Sequence, residues 1–174
     1  MVSRFVAVCG GLTLLLANVA GAAFAADQSI NVSDSAHLSR ELYARGVQIY
    51  RCAAGANDNA VGVWVFQAPE ASLFSDRALT TLVGEHFDGP SWQGIDGSEV
   101  RGQLLASRAA PQAGAIPWLL LSGHPTQNAG MFSQIAWVQR IDTRGGVVGA
   151  AVCDKPRFGA TLKVPYTATY RFYR

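Results

Sequence analysis

The segment Gly84-Glu-His-Phe-Asp-Gly-Pro-Ser-Trp-Gln-Gly-Ile-Asp-Gly-Ser-Glu99 gathers His86, Asp88, Trp92, Asp96 and Glu99 within fourteen residues. An imidazole near carboxylates can exchange protons with a substrate, so His86 with Asp88 or Asp96 is a candidate pair for a small secreted hydrolase. The indole of Trp92 offers a flat face for a sugar ring. The same residues also spell turns: in Asp88-Gly89-Pro90 and Asp96-Gly97-Ser98 the carboxylate accepts from nearby amides and glycine takes the unusual dihedral. The segment therefore reads as a polar loop that is either a ligand site built on His86, Asp88, Trp92 and Asp96 or a set of turns, and both readings stay open.

Other chemistries find less support. His86 and His124, with Asp88 or Glu85, contain the ligand types of a metal site, but two histidines 38 residues apart match no local metal spacing, and no metal is expected. Gly89-Pro90-Ser91-Trp92-Gln93-Gly94 misses the Gly-x-Ser-x-Gly nucleophile elbow by one residue, and Pro90 opposes the sharp turn that elbow needs. No Gly-x-Gly-x-x-Gly opens a helix after a strand, so no dinucleotide and no other cofactor is expected. Trp64, Trp118 and Trp137 lie inside apolar strands and read as core, which leaves Trp92 as the aromatic to test for binding.

The elements that must carry these residues begin after an export signal. Arg4, an apolar run from Phe5 to Leu16 and a small-residue series ending Ala23-Phe24-Ala25 have the three parts of a secretory peptide, and the apolar run is too short for a stable membrane span. Cleavage after Ala25 removes Cys9 and leaves Cys52 and Cys153. In an oxidising compartment, periplasmic or extracellular, two thiols in one small domain are expected to pair as a disulfide. The full chain has 14 basic and 12 acidic residues for a net charge of +2, and loss of Arg4 lowers it to +1. The basic residues are scattered singly, which excludes an electrostatic footprint for nucleic acid. No later apolar run reaches membrane-spanning length.

Residues 26–45 read as an N-terminal leader, with Leu38, Leu42 and Tyr43 at helical spacing, and residues 46–174 as one β domain. Val47 and Ile49 fall on one face of the first strand, Gln48 and Tyr50 on the other. Val61 to Phe66 is apolar on both faces and reads as a strand packed on each side, closed by Pro69. Glu99 to Leu105, Ile116 to Leu121 and Phe132 to Ile141 follow as strand-like stretches. Arg144-Gly145-Gly146 reads as a tight turn into a strand from Val147 to Cys153. The last strand alternates cleanly, with Tyr166, Ala168, Tyr170 and Phe172 on one face. Short strands between turns, with little helix, predict a single mainly β domain, an antiparallel sandwich or barrel with long loops.

Several of these segments, in order, carry a family likeness: Gly46-Val-Gln-Ile-Tyr-Arg-Cys52, Trp64 with Pro69-Glu70-Ala71, Gly84-Glu-His86, Gly89-Pro90-Ser-Trp92, Asp96-Gly-Ser98, Ile116-Pro-Trp-Leu-Leu-Leu121, Gln139-Arg140 with Thr143-Arg-Gly-Gly146, and Val164-Pro-Tyr-Thr-Ala-Thr-Tyr170. The series resembles an exported bacterial and fungal family, the domain of unknown function numbered thirty-four fifty-five, over nearly all of the chain after residue 25. The resemblance implies an exported domain without an established activity. Where the family pattern ends its loop in Trp-Glu, this chain has Trp92-Gln93, and an amide cannot act as a general acid. The expectation is a binding or surface-interaction module for a small molecule, a carbohydrate or a protein, with the His86 hydrolase as the alternative.

Overall fold

Alternation of inward and outward side chains sets the architecture. The computed structural model describes residues 29–55, 61–127 and 129–174. Eight strands follow in chain order: β1 (Leu38–Ala54), β2 (Gly62–Phe74), β3 (Leu82–Phe87), β4 (Ser91–Gly94), β5 (Glu99–Arg108), β6 (Trp118–Gln127), β7 (Trp137–Gly145) and β8 (Thr161–Tyr173). Each pairs antiparallel with the next, and β8 pairs back onto β1, so the sheet closes into an up-and-down barrel. The predicted mainly β, antiparallel fold is what forms, and of the two expected forms, sandwich or barrel, it is the barrel. Among the described residues, helix is limited to a single 3-10 turn, Lys155–Arg157.

The inward face of β8 is the one its alternation predicts: Tyr166, Ala168, Tyr170 and Phe172 are all buried. They meet Leu42 and Ala44 of β1, Leu73 of β2, Trp92 of β4, Val100 of β5, Leu121 of β6 and Val138 of β7. Trp92 is the largest fully buried side chain. Its indole fits because residue 102 on β5 is glycine: a Cβ there would lie 2.9 Å from the indole and from Leu121. Charged residues such as Arg45, Glu70, Arg101 and Lys163 are exposed on the outward positions. A second, smaller cluster lies on the outer wall, where Ile30 packs on Ala106, Leu120 and Ile141 beside Trp118 and Trp137. Gln139 Nε2 donates to the Ile30 carbonyl at 2.8 Å and ties the N-terminal segment to β7.

Several expectations fail for physical reasons. The helical spacing at Leu38, Leu42 and Tyr43 belongs to a strand, because pairing with β8 begins at Leu38 and the β domain therefore starts before residue 46. Pro69 does not end β2. It faces Gln48 across a pair interrupted by a bulge between Ile49 and Tyr50, and β2 continues to Phe74. Val61, Val63, Val65 and Phe66 are exposed rather than packed on both sides, because β3 pairs with β2 only at Ala71–Phe74. Val147 to Cys153 is an irregular connection, although Gly145 and Gly146 do take the positive φ expected of the turn before it.

That connection folds over the sheet formed by the projecting parts of β1, β2 and β8. The Cys52–Cys153 disulfide fixes it there across a separation of 101 residues. In the chain-entropy model a loop of that size contributes about 4–5 kcal/mol. Trp64 Nε1 donates to the Ala151 carbonyl at 3.0 Å beside the bridge. Residues 1–25, read above as an export signal with Cys9, lie outside the described residues. No described helix is long and apolar enough to cross a membrane.

Candidate functional site

One end of the barrel is open because β2 joins β3 only from Ala71 onward, which leaves its earlier part, Gly62 to Glu70, unpaired with β3. The gap holds a cavity of about 310 Å³, at the small end of the range for small-molecule sites. Its apolar walls are Phe66, Pro69, Pro90, Ile116, Pro117 and Leu119. Gln48, Tyr50, His86, Asp88 and Arg140 supply its polar groups.

His86 is placed by the β3–β4 hairpin, where it pairs with Trp92. The imidazole stacks on the indole with 4.7 Å between centroids and 7° between planes, and the ring of Tyr170 meets it edge-on at 5.1 Å. Nδ1 lies 2.8 Å from the Ser91 carbonyl oxygen. A carbonyl can only accept, so Nδ1 carries the proton and Nε2 presents a lone pair. Burial pushes the His86 pKa down to about 3. The ring is neutral at physiological pH and a weak base.

Gln48 is buried and its Nε2 has no hydrogen-bond partner. Close to it, the hydroxyls of Tyr166 and Tyr170 are likewise buried without partners. Tyr166 approaches Gln48 and Tyr170, and Tyr170 approaches Arg140, closely enough for weak side-chain hydrogen bonds, but none of these contacts has well-formed geometry. Burial raises both tyrosine pKa values, and the positive charge of Arg140 opposes the rise. Arg140 donates from Nε at 3.1 Å and Nη2 at 2.9 Å to the Pro117 carbonyl, which braces the wall of the cavity. Tyr50 closes the floor by donating to the Gly146 carbonyl at 2.6 Å, with Phe66 edge-on against its ring.

The segment read as a polar loop is two hairpins. Its predicted site residues divide between the two ends of β4. His86 lines the cavity and Asp88 stands on its exposed rim. Trp92 is 1% exposed with one face covered by His86, so it cannot serve as an open platform for a sugar. Asp96 lies past the far end of β4, where Oδ1 accepts from the Ser98 hydroxyl at 2.6 Å and Oδ2 from the Met131 amide at 2.7 Å. The Ser98 hydroxyl, with these other donors, holds the Asp96 carboxyl below its usual pKa. Ser98 Oγ in turn accepts from Phe132 N at 3.1 Å. His124 is exposed and bonds Ser122. Among the described residues no group of three or more His, Cys, Asp and Glu is placed to hold a metal ion.

A larger recess of about 650 Å³ lies at the outer wall, beside Tyr43, Arg77 and Thr169. It is broad, and Arg77 there is already engaged with Glu41 and Tyr43. The smaller cavity is the better candidate, because the amide of Gln48 in its lining and the nearby hydroxyls of Tyr166 and Tyr170 lack well-formed partners, whereas the broad recess has only the Trp118 indole N–H in that state.

Residues 32–174 match the family model described as Protein of unknown function (DUF3455). The chain belongs to this family. No curated protein and no solved structure matches it. The part of this DUF3455 chain covered by the match takes in every strand of the barrel and every residue of the cavity.

Gln48 and Arg140, central to the cavity, were not among the residues singled out from the sequence. The signal was present in the strand parity. In β1 the apolar pair Val47 and Ile49 suggests the inward face, but Gln48 and Tyr50 share parity with the buried Leu42 and Ala44. A polar residue on an inward parity marks a polar interior.

Proposed function

We propose that the protein is an exported binding module that takes a small, largely apolar molecule into the open end of the barrel. The observation that carries this reading is the amide of Gln48, buried without a well-formed hydrogen bond at an apolar-walled cavity, backed by the buried hydroxyls of Tyr166 and Tyr170, whose contacts are weak. A buried polar group without a partner costs about 1–3 kcal/mol. Its retention makes sense where an occupant completes the bonding, and water is the competing occupant. Eight-stranded barrels of this kind are either filled by side chains or hold one small ligand, and here the filling stops at His86 and Trp92.

Export to the periplasm or the extracellular space is supported by the signal-like residues 1–25 and by the long-range disulfide. The neutral, weakly basic His86 and the commitment of Asp96 to the opposite end favour binding over hydrolysis. The test is a thermal-shift screen of small molecules against the oxidised chain from residue 26, with Gln48→Met and Phe66→Ala beside it. A ligand at a hundred times its dissociation constant adds about 2.7 kcal/mol to stability. The reading expects a shift of that order in the parent chain and its loss in both variants. A ligand that shifts all three proteins equally binds elsewhere and overturns it.

A further inference from the structure

The cavity contains a cation with no counter-ion among the described residues. Arg140 lines the wall, and among the described residues no carboxylate forms an ion pair with it; the five ion pairs present involve other arginines and Lys163. Its charge nevertheless acts on the groups around the interior: burial raises the pKa values of Tyr50, Tyr166 and Tyr170 and lowers that of His86, and Arg140 opposes the rise at the tyrosines and adds to the fall at His86. Two of its nitrogens are held by the Pro117 carbonyl, a contact that orients the guanidinium without neutralising it. In the same cavity Gln48 Nε2 has no well-formed acceptor, and the buried hydroxyls of Tyr166 and Tyr170 make only weak contacts with each other, with Gln48 and with Arg140. The buried polar groups at this end that lack a well-formed partner can all donate a hydrogen bond, and they lie around a positive charge.

From this arrangement we infer that the ligand is a monocarboxylic acid with a compact, flat apolar body, its carboxylate bound by Arg140 and Gln48 and its body held among Phe66, Pro69, Pro90 and Leu119. This deepens the binding reading above and rests on it. Arginine recognises carboxylates by charge-assisted hydrogen bonds, and in a site shielded from water these are stronger than neutral ones. The body is limited by volume: about 310 Å³ accommodates on the order of fifteen non-hydrogen atoms. His86 contributes a neutral ring that adds no second charge. Asp88 is the one carboxylate that lines the same cavity, and it stands exposed at the rim, where solvent screens it. An entering anion meets it as a modest repulsion.

The probes are 4-phenylbutyrate, its primary amide and 4-phenylbutylamine, titrated calorimetrically into the oxidised chain from residue 26. The acid is expected to bind about tenfold or more tightly than the amide, the difference between a charge-assisted and a neutral contact. Arg140→Gln removes that discrimination, Arg140→Lys retains part of it, and Asp88→Asn tightens acid binding by a few-fold. Circular dichroism melting of each variant without ligand establishes that it is folded. Equal binding of acid and amide, or preference for the amine, overturns the carboxylate inference. It leaves the binding reading intact provided that Gln48→Met weakens whichever probe binds. Failure of all three probes overturns the inference for a body of this shape, and failure of the broader screen as well overturns the binding reading.

Discussion

The two ends of β4 begin from nearly the same text. Asp88-Gly89 precedes the strand and Asp96-Gly97 follows it, and either could cap a turn. At the far end the Asp96 carboxylate is fully engaged: it holds Ser98 and the Met131 amide, and Ser98 in turn holds the Phe132 amide. Phe132 is fully buried and packs 4.8 Å from Phe172, so this latch plugs its end of the barrel. At the near end Asp88 stands on an exposed rim, and the interior polar groups lack partners. An acidic turn residue is structural when backbone amides converge on its oxygens. Where they do not, its neighbours are free for a ligand.

Variants and pH can break this contrast. Trp92→Ala has the largest expected effect, because the indole bridges the two ends: it stacks on His86 and meets Phe172 edge-on. Truncation of so large a buried ring costs about 3–5 kcal/mol, read by chemical denaturation. A loss below 1 kcal/mol would mean that the ends are stabilised independently.

Next comes acid sensitivity at the open end. His86 has its pKa lowered from 6.5 to about 3 by burial, so between these values the unfolded chain binds the extra proton. Its contribution is therefore complete above 6.5 and declines as pH falls toward 3. By pH 5 the loss amounts to about 2 kcal/mol. His86→Asn should flatten the stability profile between pH 5 and 7, and an unchanged slope would place its origin elsewhere.

The latch titrates in a different window. The Asp96 pKa is lowered from 3.8, so its contribution persists above that value and disappears only as pH falls through its folded pKa. Asp96→Ala should cost about 1–2 kcal/mol at neutral pH through its lost charge-assisted bonds. Asp88→Ala, with no such bonds, should stay within about 0.5 kcal/mol. Equal losses in the two aspartate variants, measured by thermal melting, would erase the distinction between the turns.

Much of the fold was legible because β8 alternates without interruption and the turn glycines are where reversals need them. Legibility ended where one residue's environment depends on distant pairing. Val61 to Phe66 looks like core by composition, yet β3 pairs only with the last part of β2 and leaves Val61, Val63, Val65 and Phe66 exposed. Trp92 looks like a surface aromatic because Asp, Gly and Ser surround it, yet its neighbour in space is β5, where Gly102 leaves the room it needs. Of the residues that line the candidate cavity, His86 and Asp88 stood out in the sequence and Gln48 and Arg140 did not. Nothing local relates a glutamine at position 48 to an arginine 92 residues later.

Local chemistry in the sequence was enough to determine the strand-rich composition, the reversals at paired glycines, the inward face of β8, and a cysteine pair suited to oxidation, because each depends on residues close together or on residue type alone. The tertiary structure decided that the sheet closes, that one Asp-Gly turn becomes a latch while the other remains a rim, and that an arginine with no ion-paired carboxylate among the described residues faces the cavity of Gln48. Those outcomes depend on strand register, and register is a property of the whole ring rather than of any one strand.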